Sequence, residues 1–269
     1  MDLTQRIDEL LVERDKQRKE DRVRTHGTGR NSFYVSDAGK CPRKIAYEYY
    51  ELPKSQLDGR VLRILENGNF LQDRYSAYFK ELGVWVAEEV PVSTEAMDDV
   101  PILIRGRADI LINAAKLFDE TGTYDKTEPP LEDLAIVEMK SINTWGFKSV
   151  VKDNLPKTDH YYQLMLYLWL TGIPRGWVLY EDKNDQSMVA IPVAYDERVI
   201  YGSEGRSKGL LQELEEVAQT LEAGEVPTRC AEAKPDKFPC KWKSGQCDFY
   251  DHCYDPAHNG RESKAVGME

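Results

Sequence analysis

Two short stretches decide the predicted fold, GRAD at positions 106–109 and VEMK at positions 137–140. Asp109 interrupts one apolar run, and Glu138 and Lys140 close another. Because side chains alternate along a strand, Glu138 and Lys140 project to the same face while the residue between them points away. We therefore predict two neighbouring strands that bring the carboxylates of Asp109 and Glu138 together.

The paired carboxylates would form a hard oxygen site suited to Mg²⁺ or Mn²⁺. A lysine beside them can neutralise charge on a phosphate or position an attacking water. Each part alone has an ordinary explanation, because Glu-x-Lys is common on solvated strands and a lone aspartate often sits at a strand edge or turn. Together they put charges into strands fit for a protein core, where an unpaired charge costs several kcal/mol. A metal ion or a phosphate is the simplest partner for them.

Outward from these stretches, hydrophobic periodicity predicts a mixed α/β domain. Strands are expected at 84–90, 102–104, 108–112 and 134–139, with a hairpin of 177–181 and 188–193. Helices are expected at 61–82, 158–171 and 210–221, with Thr158 or Asp159 as the cap of the second. That helix is apolar nearly all round, so we expect it to be buried. Another helix should run through 41–50, capped by Ser36 or Asp37.

Composition narrows the protein class. The 269 residues are 41% hydrophobic, enough for one large core, and carry a formal charge of −11. This acidic balance argues against a polycation that coats nucleic acid, but not against an enzyme that meets it through a local groove. The longest apolar run, 164–170, is far shorter than the ~20 residues of a membrane span. The N-terminus lacks the pattern of a signal peptide, so we expect an intracellular, cytoplasmic protein without a membrane partner.

The motif series resembles that of RecB-like nucleases in the PD-(D/E)xK superfamily. It consists of Gly-Arg-x-Asp, then Glu-x-Lys, then Gln163-x-x-x-Tyr167. A Cys-Pro-Arg element at Cys41 and the closing cysteines of the tail resemble its iron–sulfur branch. That group includes CRISPR-associated RecB-like nucleases, the AddB nuclease domain and many phage exonucleases. The resemblance covers residues 33 to 255, and five motifs in the correct order make a chance match improbable.

This resemblance implies a restriction-endonuclease-like PD-(D/E)xK core, in which helices flank a mixed central sheet. It implies a metal-dependent DNA nuclease, with exonuclease action favoured and endonuclease action left open. Asp109 and Glu138 would bind Mg²⁺ or Mn²⁺, with the Met139 carbonyl as a further ligand, and Lys140 would be the catalytic lysine. Gln163 and Tyr167 share one face of their helix and would contact DNA or support the site.

One position departs from the family pattern. The family commonly places a metal-binding histidine four residues after the glycine that corresponds to Gly68, and here Gln72 stands there. A glutamine carbonyl is a weaker ligand than imidazole for Mn²⁺, though it suits Mg²⁺. We take Gln72 as a candidate ligand, and the substitution leaves one or two catalytic metals open.

Five cysteines form a second pattern. Their odd number argues against a disulfide framework, and the clustering of four of them near one end argues for a metal. No pair has the close spacing usual for zinc, although zinc remains the alternative. The resemblance implies a 4Fe–4S cluster on four thiolates that ties the two ends of the chain together, Cys41, Cys240, Cys247 and Cys253. We expect Cys230 to be a free thiol.

Basic residues interleaved with aromatic residues form a third pattern. Lys148 and Lys152 follow the Glu-x-Lys strand among aromatic residues, and Arg43 lies near the first helices. Such a mixture suits phosphate contacts and base stacking along single-stranded DNA or duplex ends. The alternatives are a catalytically weak DNA-binding subunit and a metal-stapled protein-interaction module. No Walker A motif is present, so a helicase or recombination protein would be a separate chain, and a phage origin is compatible.

The resulting domain plan has three parts. Residues 1–32 are a helical arm and linker, 33–225 are the nuclease core, and 226–269 are the cysteine-rich iron–sulfur tail, joined by Cys41 from the core.

Overall fold

A computed structural model describes residues 2–26, 30–52, 54, 56–203, 207–229, 234–237, 240–242 and 245–254. The chain divides into two compact units. The terminal unit comprises Met1–Phe33, Lys40–Ile64 and Glu213–Glu269, and the sheet unit comprises Tyr34–Gly39 and Leu65–Gln212. The three-part domain plan drawn from the sequence stays a prediction.

Helices and strands are interspersed along the chain. The helices are α1 Leu3–His26, α2 Pro42–Tyr49, α3 Gly59–Glu81, α4 Ala114–Leu117, α5 Thr144–Asp153, α6 Thr158–Thr171, α7 Glu197–Tyr201, α8 Leu210–Glu222 and α9 Tyr250–Tyr254. The main strands are β1 Phe33–Tyr34, β2 Trp85–Ser93, β3 Ile104–Asn113, β4 Leu134–Ile142, β5 Arg175–Asp182 and β6 Met188–Ala194. Four short strands follow, β7 Gly202–Ser203, β8 Ser207–Lys208, β9 Lys241–Trp242 and β10 Gly245–Gln246.

A mixed sheet forms the centre of the sheet unit. β2 pairs with β3 and β3 with β4, both antiparallel, whereas β4 and β5 are parallel and β5 and β6 form the expected antiparallel hairpin. The first six residues of β4 are all buried, which is typical of a central strand covered on both faces. Gly176 permits this packing, because a Cβ there would lie 2.5 Å from the Ile136 carbonyl oxygen. The predicted mixed α/β fold is confirmed.

One of the helices that pack on this sheet is α6. Five successive residues, from Leu164 to Leu168, are buried, so the predicted burial of this helix is confirmed. The helix ends at Gly172, whose φ of 71° is a left-handed conformation that glycine adopts without strain. The expected cap was wrong by one position, because Lys157 is the N-cap and Thr158 is already helical.

Two further sequence predictions are corrected. The helix expected after Ser36 or Asp37 begins only at Pro42, because Asp37 lies in a 3₁₀ turn where its carboxylate accepts the Tyr34 N–H at 2.8 Å. The strand expected at 108–112 extends back to Ile104, so β3 includes only the last residue of the strand expected at 102–104. Gly106 lies within β3. A Cβ at this position would lie 2.7 Å from the Val35 side chain, so the close packing there favours glycine.

The terminal unit contains α1, α2 and α9. Phe249 is buried with its ring centroid 5.4 Å from that of Tyr47, and the Tyr50 hydroxyl donates to the Leu221 carbonyl at 3.2 Å. The apolar residues of α8, from Leu210 to Leu221, are buried as their spacing predicts. Within the described residues, no helix is both long and apolar enough to cross a lipid bilayer.

Candidate active site

Asp109 and Glu138 lie where two paired strands separate. The antiparallel register of β3 and β4 runs from Asn113–Leu134 to Ile110–Val137 and stops there. One residue further, the Asp109 carboxylate accepts the backbone N–H of Met139 at 2.8 Å. The Asp109 side chain thus replaces a backbone hydrogen bond between β3 and β4, and the two strands separate at this point. The same hydrogen bond holds the Asp109 carboxylate beside the backbone of Met139, the residue between Glu138 and Lys140.

Glu138 is an unusual core residue, with an exposed fraction of 0%. The ammonium nitrogen of Lys140 is 2.6 Å from Glu138 Oε1. Neither Glu138 oxygen, however, accepts a well-aligned hydrogen bond from the described part of the chain. A buried carboxylate normally has several such donors, because desolvation of an ion is costly. The donor set of two carboxylates, one of them unsatisfied, therefore fits a divalent cation.

The electrostatics of the site reflect burial. Burial raises the pKa of Asp109 to about 7, and the charge of Glu138 adds to this rise. Burial also raises the pKa of Glu138, against the opposing charge of Lys140. For Lys140, burial alone lowers the pKa, but the charges of Glu138 and Asp109 outweigh it and raise the pKa. Lys140 is therefore a cation at neutral pH, between two carboxylates that are hard to ionise together.

The helix α6 brings Gln163 and Tyr167 to the same site. Lys140 Nζ donates to Gln163 Oε1 at 3.2 Å. Tyr167 is buried, and its hydroxyl is hydrogen-bonded to Gln163. Burial, and then the charge of Glu138, raises the pKa of Tyr167. The two α6 residues therefore fix the lysine through Gln163 and keep a neutral phenol next to it.

Gln72 also faces the site, from α3. Its amide nitrogen donates to Glu89 Oε1 at 2.7 Å and approaches the Asp109 carbonyl oxygen at 3.4 Å. The amide oxygen is the atom of Gln72 able to bind a cation. The sequence interpretation missed Glu89, which also pairs with Arg107 at 3.1 Å. Glu89 has a φ of 51°, a strained value for this residue type, and its charge raises the pKa of both Asp109 and Glu138.

The expected nucleic-acid contacts separate into two groups. Lys148 and Lys152 are exposed on α5, on the same stripe as Trp145, which is 84% exposed. Arg43 is buried, and its Nε donates to the Pro227 carbonyl at 2.9 Å. This burial is a correction, and it removes Arg43 from the set of nucleic-acid contacts.

Four of the five cysteines lie in the described part of the terminal unit, and none of these four is in a disulfide. Cys41 is the N-cap of α2, and the backbone N–H of Cys247 donates to the Cys240 carbonyl at 2.9 Å. The Tyr254 hydroxyl is 3.3 Å from Cys240 Sγ, and the charge of nearby Cys253 helps to raise its pKa, after burial and Cys240. Burial, with a smaller contribution from Cys41, raises the pKa of Cys247. Cys230 lies outside the described residues.

The cysteines are neighbours, but they do not surround one point. Among the residues that the structure describes, no three His, Cys, Asp or Glu side chains are arranged as a metal-binding group. The thiol donor set suits an iron–sulfur cluster by its chemistry, whereas the side chains do not converge on one. Two carboxylates stand at the end of the paired strands, so a further ligand would be the Met139 carbonyl, Gln72, the neighbouring Glu89 or water.

A groove of about 640 Å³ lies elsewhere in the sheet unit, along the start of α6 and along β6. Tyrosine and proline side chains line much of it, among them Tyr161, Tyr162, Pro192 and Tyr195. It contains none of the three charged residues of the strand site, so the candidate chemistry lies at the carboxylates and not in this groove.

Comparisons with known proteins give two kinds of likeness. No family model matches the chain. The CRISPR-associated exonuclease Cas4 of Saccharolobus solfataricus is 27% identical over 165 residues, which is 58% of this chain and 66% of that protein. The matched segment thus spans just under two thirds of the relative's length.

Among solved structures, the alkaline exonuclease LHK-Exo of Laribacter hongkongensis aligns with a TM-score of 0.46 and 15% identity, over 72% of this chain and 89% of that one. The complex of LHK-Exo with dAMP gives a TM-score of 0.42 and 15% identity, over 71% of this chain and 90% of that one. The sequence likeness to a curated exonuclease is the finding that bears on function.

Proposed function

We propose that this chain is a metal-dependent DNA nuclease of the RecB-like PD-(D/E)xK type, acting as an exonuclease on phosphodiester bonds. The observation that supports it most is the buried, unsatisfied carboxylate of Glu138 beside Asp109 and Lys140. The Lys140 ammonium compensates only one of the two carboxylate charges, and stable cores avoid a buried charge that is left uncompensated. The sequence likeness to a Cas4 exonuclease supports the same reading.

Asp109 and Glu138 would hold Mg²⁺ or Mn²⁺, with the Met139 carbonyl and the Gln72 amide oxygen as further ligands. Such an ion, when bound, activates a water molecule and polarises the phosphate. The hydrogen bond from the Met139 N–H fixes one Asp109 oxygen, and the other oxygen remains available to a ligand. Because the pKa of both carboxylates is raised, a cation would displace their protons on binding and would stabilise the ionised forms.

Lys140 would act as a positioned cation. Its ammonium is held by Glu138 and by Gln163, and its raised pKa keeps it protonated. A proton donor and charge fixed in this way can stabilise the negative charge that develops on the phosphate during attack by water. Gln163 and Tyr167 would support this lysine, with Gln163 as its direct contact.

We further propose that Cys41, Cys240, Cys247 and Cys253 hold a 4Fe–4S cluster with a structural role. Their clustering within the terminal unit and the absence of disulfides among the four support this assignment. Closure around a cluster would require their side chains to turn toward one point. Zinc on the same thiols is the alternative that metal analysis distinguishes.

DNA is the proposed substrate, met as single strands or duplex ends, with Lys148 and Lys152 on α5 as phosphate contacts. A separate helicase or recombination protein is the proposed partner, in the cytoplasm. Gln72 favours a second candidate, a DNA-binding subunit with weak cleavage, because an amide replaces the stronger imidazole ligand.

The proposal is tested with end-labelled single- and double-stranded DNA, incubated with Mg²⁺ or Mn²⁺. Degradation from the labelled or the opposite end is expected for the native protein, and Glu138→Gln should abolish it. A native protein that binds DNA but cleaves neither substrate with either metal would favour the DNA-binding subunit. Cleavage by Glu138→Gln at the native rate would refute the site.

A further inference from the structure

A buried tyrosine connects the proposed active site to a second polar cluster. β4 and β5 are parallel, and Lys140 is paired in register with Tyr180. Paired residues on neighbouring strands project to the same face, so the Tyr180 side chain lies beside Lys140. The region beyond the carboxyl ends of parallel strands is a common place for ligand binding.

The Tyr180 hydroxyl is hydrogen-bonded to a histidine at the start of α6. It accepts the backbone N–H of Lys157 at 2.9 Å and lies 2.9 Å from His160 Nδ1. When the hydroxyl donates its hydrogen to Nδ1, the proton of the neutral imidazole is on Nε2. Burial, together with the charges of Lys140 and Lys157, lowers the pKa of His160 to about 4 against the opposing charge of Asp159. His160 is therefore a neutral N–H donor near both lysines.

Two lysines, Lys157 and Lys183, lie near the first turn of α5. Lys157 Nζ lies against the first turn of α5, 3.1 Å from where a Cβ at Gly146 would be. The backbone of Lys183 bonds to the Ile142 carbonyl at 2.8 Å, directly before the same turn. Burial, and then the charge of Lys157, lower the pKa of Lys183.

These like charges have little compensation. In the part of the chain that the structure describes, neither Lys157 nor Lys183 forms a salt bridge. Asp159 is the acidic residue next to His160, with its carboxylate 3.8 Å from Nε2 and its side chain 60% exposed. This distance is too long for a hydrogen bond, so the Nε2–H remains available.

We propose that Lys157, Lys183 and His160 form a subsite for one phosphate of the nucleic-acid backbone, next to the phosphate cleaved at Glu138 and Lys140. Two ammonium groups and a neutral N–H donor match the charge and the acceptor oxygens of a phosphodiester. The subsite rests on the proposed function and deepens it by naming where the substrate is held. A Cβ at Gly146 would lie 3.1 Å from the Lys157 ammonium, so a side chain there would require this lysine to shift by a few tenths of an ångström.

The test measures binding of a short fluorescent single strand without cleavage, in EDTA, at several salt concentrations. Lys157→Met and Lys183→Met keep the aliphatic stem and remove the charge. Each should weaken binding about 3–10-fold and reduce the slope of log affinity against log salt by roughly 0.7, the value for one lost phosphate contact on a single strand. Lys126→Met is the matched control, since Lys126 is exposed, pairs with Asp133 and precedes the opposite end of β4.

The histidine is tested by a donor-retaining pair. His160→Gln keeps an N–H near the Nε2 position and should bind like the native protein, whereas His160→Phe should bind several-fold more weakly. A scan with single methylphosphonate linkages should find one position whose effect disappears in Lys157→Met. DNA with a 5′-phosphate or a 5′-hydroxyl then distinguishes a terminal phosphate from an internal one.

Unchanged salt slopes in both lysine variants, with native cleavage intact, would overturn the subsite alone. A native protein that binds with these slopes but cleaves nothing would overturn the proposed nuclease and leave the subsite standing. Circular dichroism on each variant checks folding. Lys157 and Lys183 are exposed, so their variants still test the subsite if His160→Phe does not fold.

Discussion

The Asp109 carboxylate accepts the backbone N–H of Met139 at 2.8 Å, at the point where β3 and β4 stop pairing. One side chain thus serves two purposes, because it satisfies a freed backbone donor and stands beside the buried carboxylate of Glu138. The hydrogen bond needs only an oxygen acceptor, whereas cation binding needs the negative charge. These two requirements are separable by mutation.

Asp109→Asn should abolish cleavage and stabilise the metal-free protein. The amide keeps an acceptor for Met139 and removes one of two buried carboxylates. At about pH 8, the free energy of unfolding in EDTA should rise on the order of 2 kcal/mol, or about 4–8 °C in Tm. Thermal unfolding measures it, with the exposed Glu95→Gln as a control. A variant that is less stable than the native protein would contradict the burial argument.

The same substitution should flatten a pH dependence. Folding raises the pKa of Asp109 from 3.8 to about 7, so between these values the folded protein holds a proton that the unfolded chain has released. This contribution to stability is complete below the lower value and is lost as pH rises through the upper one. His160 acts in the opposite direction, because its folded pKa is lowered to about 4. The informative quantity is therefore the native stability minus that of Asp109→Asn, measured in EDTA across this range, which should fall as pH rises.

Glu138 and Lys140 should show strong coupling in a double-mutant cycle. Lys140→Met leaves a buried carboxylate without its ion-pair partner and should destabilise the protein by about 3–5 kcal/mol. Adding Glu138→Gln should recover part of this loss, so the coupling energy should reach about 1–3 kcal/mol. Urea unfolding of the four proteins in EDTA measures it. Additive effects would show that the 2.6 Å contact contributes little in solution.

Gln72→His should change the metal preference. Imidazole binds Mn²⁺ more strongly than an amide oxygen does, and a protonated ring nitrogen can still donate to Glu89. The ratio of Mn²⁺-supported to Mg²⁺-supported cleavage should rise several-fold. Gln72→Asn is the control, because it shortens the side chain without a stronger ligand. Equal ratios in the native and histidine proteins would argue that position 72 does not reach the ion.

Substitution of the proposed cluster ligands should remove iron. Cys240→Ser and Cys253→Ser should lower the iron-to-protein ratio of anaerobically purified protein and its visible absorbance. Tm should fall as well, because a cluster restrains distant parts of the chain. Cys230→Ser should leave iron in place. A colourless native protein that contains zinc would contradict the iron–sulfur assignment.

The sequence pattern was sufficient to predict the meeting of Asp109, Glu138 and Lys140. Alternation along a strand determines which side chains share a face, and charged residues within otherwise apolar runs indicate a site instead of ordinary core packing. The opening of the sheet was beyond prediction, because strand register depends on packing between segments and not on either one alone. Glu89 was missed for a related reason, since an acidic residue on a strand ordinarily indicates a solvated face.

The helix α5 was not predicted either. Gly146 and the aromatic residues around it have modest helix propensity, and the helix depends on a side-chain cap, in which Asn143 accepts the Gly146 N–H at 2.8 Å. The reason for a glycine at position 146 is visible only in the folded structure, where the Lys157 ammonium lies 3.1 Å from the position that a Cβ would have. Helix propensity alone therefore could not predict α5, nor the two lysines, Lys157 and Lys183, near its first turn.

The segment between Leu117 and Leu131 joins β3 to β4 at the end of the strand pair remote from the carboxylates. Four register pairs, from Asn113–Leu134 to Ile110–Val137, stand between this connection and the site. Gly122 at its tip has no neighbouring atom within 4 Å of a would-be Cβ. This connection is thus a permissive place for a fluorophore or an affinity peptide. A reporter inserted there would follow the protein on DNA while leaving the chemistry to proceed at its native rate.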